Sequence, residues 1–206
     1  MADLSESLVS FIVILSFVAF IGAAQIAHAR AVATRGAAVT RLGGVAHWAA
    51  YFFPVPYVVV WLRPGPQIAV PDQLRWAGLL LSVGGVAFAI WAIATLGRHY
   101  ALELEVHRGH EVVRRGPYAV VRHPIYLGLA SHSLGACLAT GNLVLTAGTL
   151  AVTLPILVLR ALREERLLRD ELGPSYDAYA RDVGMLVPTP RPASGRVARP
   201  RRTPRS

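Results

Sequence analysis

The residues best suited to chemistry lie on either side of one long apolar stretch. Before it comes "RRGPYAVVRHPIYLG", from Arg114 to Gly128, and after it comes "LRALREERLLRDELG", which contains Arg160 and Glu164. His123 precedes Pro124 and is therefore expected to start a helix, where free backbone N–H groups favour an anionic ligand group. Histidine, tyrosine and glutamate together suit a charged aqueous ligand, and arginine suits a carboxylate.

Arg160 and Glu164 are four residues apart, so they share one face of a helix, whereas Glu165 is expected to point elsewhere. Arg160 directly follows the apolar run, at the edge of the hydrocarbon layer, where an unpaired charge is expensive. If the apolar stretch folds back on itself, Arg160 and Glu164 meet His123 and Tyr126. The sequence therefore predicts one site, open to the cytosol and to the bilayer, for a charged ligand and a lipid-borne acceptor.

The elements that must position this site are membrane helices. The chain has 206 residues, of which 54% are hydrophobic and 16% charged, a membrane composition. Three segments are long enough to cross a bilayer, namely Ser7–Ala29, which we expect to stay as a span, Leu42–Leu62 and Trp76–Leu96. Pro124–Leu159 lacks formal charge and has a turn signal at Gly141-Asn142, which predicts a tight hairpin with arms of about 17 to 18 residues. The predicted fold is all-α and polytopic, with three spans and a C-terminal hairpin.

Charge placement predicts the topology and the domains. All 21 basic residues are arginine and the net charge is +9, but the arginines flank apolar segments, which argues against a nucleic-acid partner. Three spans and a hairpin put every arginine-rich connector on one face, which should be cytoplasmic in a bacterial inner membrane. We expect a three-span region at residues 1–96, a catalytic region at 97–187 and a disordered basic tail at 188–206. We expect no metal site, because the chain has one cysteine and no HExxH pattern.

Three stretches resemble the isoprenylcysteine carboxyl methyltransferase and phospholipid methyltransferase superfamily: "WAIATLGRHY", "GPYAVVRHPIYLG" and "REERLLRDELGPSYDAYARDV". The resemblance implies a membrane enzyme that uses S-adenosylmethionine. The cofactor contacts that it implies are His110, Glu111, Val112, Val113, Tyr118, His123, Pro124, Ile125, Tyr126 and Glu164. It also implies that Arg160 binds the acceptor, and that Arg160 and Glu165, the second member of the glutamate pair, take part in catalysis.

The favoured function is O-methylation of a carboxylate on a lipid-embedded, lipid-modified or isoprenoid-like acceptor. A carboxylate is already nucleophilic and needs no general base, whereas an amine must lose a proton. N-methylation of phosphatidylethanolamine stays open as an alternative, as does a non-enzymatic small membrane protein such as a transporter or assembly factor. A nicotinamide-dependent reductase is a further alternative, although "LSVGGVAFA" lies inside a span and lacks the strand context of a dinucleotide fingerprint.

Overall fold

The computed structural model describes residues 2–34, 38–41, 62, 65–100, 105–107 and 112–189, with side chains for residues 6–34, 62, 65–100 and 112–189. Its elements are, in chain order, α1 (Ala2–Thr34), β1 (Ala38–Arg41), α2 (Asp72–Leu96), a 3-10 turn (Gly97–His99), β2 (Glu105–His107), a second 3-10 turn (Gly116–Ala119), α3 (Pro124–Thr140), α4 (Leu143–Gly148), a π-helical turn (Thr149–Thr153), α5 (Leu154–Leu172) and α6 (Pro174–Asp182). The predicted all-helical membrane class is confirmed.

Three described segments are long and apolar enough to cross a membrane, namely Glu6–Thr34, Asp72–His99 and Leu143–Leu172. The first two correspond to the predicted first and third spans. The predicted span Leu42–Leu62 lies, except for its last residue, outside the described residues, as do residues 190–206 of the predicted tail.

The hairpin turn forms where it was predicted. Gly141 ends α3 in the left-handed conformation, with φ 64°, and the Asn142 side chain caps α4 by accepting a hydrogen bond from the Leu145 N–H at 2.8 Å. The second arm continues directly into the charged helix that the spacing of Arg160 and Glu164 predicted, so one helical segment extends from Leu143 to Leu172. The charged residues after the apolar run are good helix formers and extend it.

Small residues bring α2 and α3 into close contact. Gly78 and Gly85 of α2 face Gly135 and Gly128 of α3, and Ser82 lies between them. A Cβ atom built on Gly85 would stand 2.5 Å from the Gly128 carbonyl oxygen, so only a hydrogen fits between the backbones. Such contacts replace the hydrophobic driving force that helices lack in lipid. The start of α3, which carries His123, is therefore fixed against α2.

One apolar core joins helices from both halves of the chain. It contains Phe17 and Phe20 of α1, Ile93 of α2, Leu129 of α3 and Leu157 of α5. Because α5 packs on α3 through this core, the charged end of α5 is held beside the beginning of α3.

A short antiparallel pairing of β1 with β2 was not predicted. Its register pairs Ala38 with His107 and Arg41 with Glu105. The strands belong to the connectors that follow α1 and the 3-10 turn after α2. The pairing therefore places these two arginine-bearing connectors on the same side of the helices, as their charge predicted.

Candidate functional site

His123 is held at the start of α3 by backbone contacts with the C-terminal part of the chain. The Arg122 N–H donates to the Gly184 carbonyl oxygen at 2.8 Å, and the His123 N–H donates to the Met185 carbonyl oxygen at 3.0 Å. Pro124 occupies the first helical position, where its missing N–H costs nothing. The His123 residue is 4% exposed, so its ring orientation depends on protein partners.

Two consecutive glutamates of α5 contact the two nitrogens of the His123 ring. The Nδ1 atom lies 3.6 Å from Glu164 Oε2, and the Nε2 atom lies 3.3 Å from Glu165 Oε1. Tyr126 stacks on the same ring at 5.6 Å between centroids. Glu165, which was expected to point elsewhere, thus converges on His123 because the ring lies between the two side chains. Burial alone would lower the pKa of His123, but the hydrogen bonds and charges of both glutamates outweigh it and raise that pKa.

Arg160 and Glu164 both lie near a tyrosine of α3. The Tyr126 hydroxyl is close enough to both side chains for each of them to affect its ionisation. The Arg160 residue is buried, whereas the Glu164 side chain is one-third exposed, at 33%. Tyr100, just after α2, is also buried, and burial raises its pKa to about 12 against a smaller opposing effect of the nearby Arg160 cation. The structure therefore brings Arg160, Glu164, His123 and Tyr126 together, as the closed hairpin predicted.

Glu165 has a different environment from Glu164. Its Oε1 atom accepts hydrogen bonds from Nε of Arg122 at 2.6 Å and lies 2.6 Å from Nη2 of the same guanidinium. Its Oε2 atom lies 3.3 Å from Nη2 of Arg169. Protein groups thus occupy the buried Glu165 carboxylate, while the more exposed Glu164 carboxylate can meet a ligand. Glu165 is placed to support His123 rather than to contact a reacting group.

Of the remaining predicted cofactor residues, some are buried near the site and others lie outside the described residues. Tyr118 is buried, and its carbonyl oxygen accepts a hydrogen bond from the Tyr179 hydroxyl at 2.7 Å. Val112 packs on the aromatic cluster around Tyr179, and Val113 is half-buried. Pro124 is buried, and Ile125 packs against the core that joins α1, α2, α3 and α5. His110 and Glu111 lie outside the described residues.

Sequence reasoning did not select Arg122, Tyr100 or the tyrosines of α6. Arg122 looked like one more arginine of a basic connector, although its position next to His123 in "RHP" was a signal. Tyr100 ends the quoted "LGRHY" stretch, but nothing local shows that it reaches Arg160. The tyrosines Tyr176 and Tyr179 are buried against Val112 and Leu168, a contact that only the tertiary fold reveals.

Fold and site together define a polytopic helical membrane protein with a cluster of charged and tyrosine side chains at one end of its helices. Residues 78–171 match the profile of the "Isoprenylcysteine carboxyl methyltransferase (ICMT) family". The resemblance recognised in the sequence motifs is thereby confirmed, and the matched region contains His123, Tyr126, Arg160 and Glu164.

Several relatives carry methyltransferase names. "Probable protein-S-isoprenylcysteine O-methyltransferase" of Oryza sativa subsp. indica is 27% identical over 125 residues, which cover 60% of this chain and 65% of that protein. "Methanethiol S-methyltransferase" of Pseudomonas sp. (strain GM41(2012)) is 39% identical over 82 residues, which cover 38% of this chain and 29% of that protein. The solved eukaryotic intramembrane Ras methyltransferase ICMT aligns with a TM-score of 0.52 and 26% identity, covering 70% of this chain and 50% of that one. The chain spans less than two thirds of the length of each of these relatives.

Proposed function

We propose that this chain is an integral membrane methyltransferase that uses S-adenosylmethionine and methylates a carboxylate on a lipid-embedded, lipid-modified or isoprenoid-like acceptor. The observation that carries the proposal is the contact network from His123 through Glu164 and Tyr126 to the buried Arg160. It lies in the region that matches the methyltransferase family, and it joins groups suited to a charged cofactor to a group suited to an anionic acceptor.

The residues around Glu164 fit S-adenosylmethionine by their chemistry. The partly exposed carboxylate and the rings of Tyr118 and Tyr126 suit a cationic sulfonium. The N-terminus of α3 beside His123 suits a carboxylate. When bound, S-adenosylmethionine supplies an electrophilic methyl group. The further cofactor contacts in the proposal are His110, Glu111, Val112, Val113, Pro124 and Ile125.

Arg160 is the proposed acceptor residue. Its neighbours Leu159 and Leu162 are exposed on the apolar surface of α5, at 55% and 41%, so lipid reaches the helix next to a buried guanidinium. A guanidinium binds a carboxylate with two parallel hydrogen bonds and keeps its charge at any physiological pH. An acceptor with an apolar tail would then place its carboxylate on Arg160 while its tail stays in lipid.

The chain's own contribution to the reaction is positioning. Arg160 orients the acceptor carboxylate, and Tyr126 ties Arg160 to Glu164 so that acceptor and cofactor groups keep a fixed relation. The burial of Arg160, Tyr118 and His123 excludes water from the reacting groups. No proton has to be removed from a carboxylate, so the site needs no general base.

Binding of S-adenosylhomocysteine by the detergent-purified protein tests the cofactor. Glu164→Gln and His123→Ala should each weaken binding about tenfold or more, since a hydrogen bond to a charged group contributes about 1.5–3 kcal/mol. Arg166→Gln on the same helix is the matched control, because Arg166 is exposed. Absence of binding by the wild type would contradict the proposal, and unchanged affinity in both site variants would contradict this location.

Transfer of a labelled methyl group to an N-acetyl-S-prenylcysteine tests the acceptor class. Arg160→Gln should reduce kcat/KM about 100-fold, because it removes the cation that binds the carboxylate. The same variant should keep its affinity for S-adenosylhomocysteine within about threefold, since Arg160 is assigned to the acceptor. A loss of cofactor affinity equal to that of Glu164→Gln would contradict this division of roles.

A thiol acceptor is a second candidate, favoured by the 39% identity to the methanethiol enzyme. Thiol methylation does not need a cation for a carboxylate, so Arg160→Gln should leave it nearly unchanged. Lipid analysis in a host that lacks phosphatidylcholine distinguishes phosphatidylethanolamine methylation from methylation of a carboxylate or a thiol. New methylated headgroups in that host would favour phosphatidylethanolamine as the acceptor.

The proposed location is a bacterial inner membrane with the site on the cytoplasmic side. The three helices of spanning length support a multi-pass protein. The orientation is tested with a cysteine introduced at the exposed Arg115, after Cys137→Ala removes the buried native thiol. A membrane-impermeant maleimide should label this variant in inverted vesicles and not in intact cells, and the reverse result would contradict the orientation.

A further inference from the structure

Arg122 connects three parts of the molecule through one side chain. Its Nε and Nη2 atoms contact Glu165 Oε1 at 2.6 Å, and its Nη1 atom donates to the Ala180 carbonyl oxygen at 2.9 Å and to the Val183 carbonyl oxygen. Its own N–H pairs with Gly184. The Arg122 side chain is 10% exposed, so these contacts are largely shielded from water.

We propose that Arg122 is a positioning residue of the site: it holds Glu165 against His123 and fastens the segment Ala180–Met185 to the same point. The inference deepens the proposed function and rests on it for its catalytic meaning. The fastened segment lies beyond residue 171, where the family match ends, so the match itself assigns it no part in the site.

The geometry of Arg122 is specific to a guanidinium. The planar fork directs two nitrogens to the carboxylate and the third to two carbonyl oxygens, which the single ammonium of lysine cannot reproduce. Without this fork, Glu165 would keep the His123 ring and the half-exposed Arg169 as partners. The carboxylate would then be free to move relative to His123, and the carbonyls of the C-terminal segment would lose their donor.

Arg122 also sets the charge that His123 experiences. The groups facing the His123 ring are Glu164 and Glu165 from α5 and Tyr126 from its own helix, and Arg122 shares the Glu165 oxygen. Removal of the Arg122 cation leaves the Glu165 charge to His123 and the half-exposed Arg169, which favours the protonated His123 ring. If Arg122 made only a packing contact, its removal would lower the free energy of unfolding without changing the pH at which His123 titrates.

Thermal unfolding of the ligand-free full chain in detergent, from pH 5.5 to 9.5, tests this role. Arg122→Gln should raise the pH at which the His123-dependent stabilisation is lost by about one unit, the size expected for loss of one nearby charge. It should also weaken S-adenosylhomocysteine binding about tenfold, because Glu165 no longer fixes His123. His123→Gln should abolish the titration in both backgrounds, which assigns it to this residue.

Arg114→Gln is the matched control. Arg114 also donates to a carbonyl oxygen of α6, that of Ser175 at 2.8 Å, but it makes no contact with Glu165 in the described structure. It should lower the melting temperature modestly, with no shift of the titration and with affinity within about twofold of the wild type.

The outcomes separate the two proposals. If Arg122→Gln behaves like Arg114→Gln in titration and affinity, Arg122 is only a structural contact and the inference is overturned. If the wild type binds no S-adenosyl compound but the titration shift appears, the proposed function fails while the positioning of His123 stands. Should Arg122→Gln fail to fold, Arg122→Lys decides between these outcomes. Lysine retains the positive charge, so the titration of His123 should shift little, but it lacks the guanidinium fork, so the affinity for S-adenosylhomocysteine should fall about fivefold. Wild-type affinity in this variant would overturn the inference.

Discussion

The replacement Gly85→Ala is predicted to disturb the site although it lies inside the membrane helices. A Cβ atom at Gly85 would stand 2.5 Å from the Gly128 carbonyl oxygen and 2.7 Å from the His132 backbone nitrogen, where ordinary contact begins at 3.4 Å. Backbone atoms of α3 cannot rotate away as a side chain can. The helices α2 and α3 must therefore separate by about 0.9 Å at this level.

The cost follows from that separation. A gap of about 0.5–1 Å forfeits a quarter to a half of the dispersion energy of each contact it opens. Overpacking of this kind costs about 1–3 kcal/mol, which for a chain of this length lowers the melting temperature by about 4–8 °C at 2 kcal/mol. The shift also moves the start of α3, where His123 meets Glu164 and Glu165 of α5. Because a misplacement of about 1 Å at a site reduces activity by up to 100-fold, we expect S-adenosylhomocysteine affinity to fall about tenfold.

Thermal unfolding and ligand titration of the detergent-solubilised protein check both effects. Gly84→Ala is the matched control in the same helix, because a Cβ atom there meets nothing within 4 Å. It should change stability by less than about 0.5 kcal/mol and leave affinity unchanged. Equal melting temperatures for the two variants would show that α2 and α3 do not approach as closely as described. A stability loss in Gly85→Ala with unchanged affinity would show that this interface does not position His123.

Further predictions concern single contacts. Asn142→Ala removes the cap on the Leu145 N–H and should cost about 1 kcal/mol in thermal unfolding, whereas Asn142→Asp should restore most of it. Tyr179→Phe removes the hydroxyl that donates to the Tyr118 carbonyl oxygen at 2.7 Å and should cost about 1 kcal/mol, because that oxygen is left without this donor. The raised pKa of His123 means that its contribution to stability is complete below its unfolded pKa of about 6.5 and is lost as the pH rises through the higher folded value. Thermal unfolding at pH values above about 6.5 checks this expectation. It would be contradicted by a melting temperature that increases with pH through a transition that His123→Gln removes.

Much of the fold was accessible from the sequence because its signals are local. Hydropathy located the spans that correspond to Glu6–Thr34 and Asp72–His99, and the Gly141-Asn142 signal located the hairpin turn, since a left-handed glycine and a capping asparagine act within a few residues. The meeting of Arg160 and Glu164 with His123 followed from closing that hairpin. The helical spacing of Arg160 and Glu164 predicted that they share one face, and both lie near Tyr126.

Other features depended on partners that are remote in sequence. The second arm was not predicted to form, together with the charged helix after it, one segment of spanning length from Leu143 to Leu172. Arg122 looked like a topology signal, and its role appears only when α5 and the segment after α6 converge on it. The β1–β2 pairing joins segments more than sixty residues apart, and neither strand has a strong local pattern.

The charge balance of the cluster gives a further reason for a carboxylate acceptor. The cations Arg122, Arg160 and Arg169 are matched in number by three carboxylates, those of Glu164, Glu165 and Asp177, which contacts Arg169. A protonated His123 therefore leaves one excess positive charge among these seven groups. An acceptor carboxylate at Arg160 would neutralise that excess, whereas a neutral amine or thiol would leave it in a poorly solvated place. Under the proposed function, methylation would turn the carboxylate into an uncharged ester, which would remove the attraction to Arg160 and favour release toward lipid. On this reasoning the ester product should bind at least about tenfold more weakly than the free acid, and Arg160→Gln should abolish the difference. Equal inhibition by acid and ester in the wild type would assign Arg160 to another task.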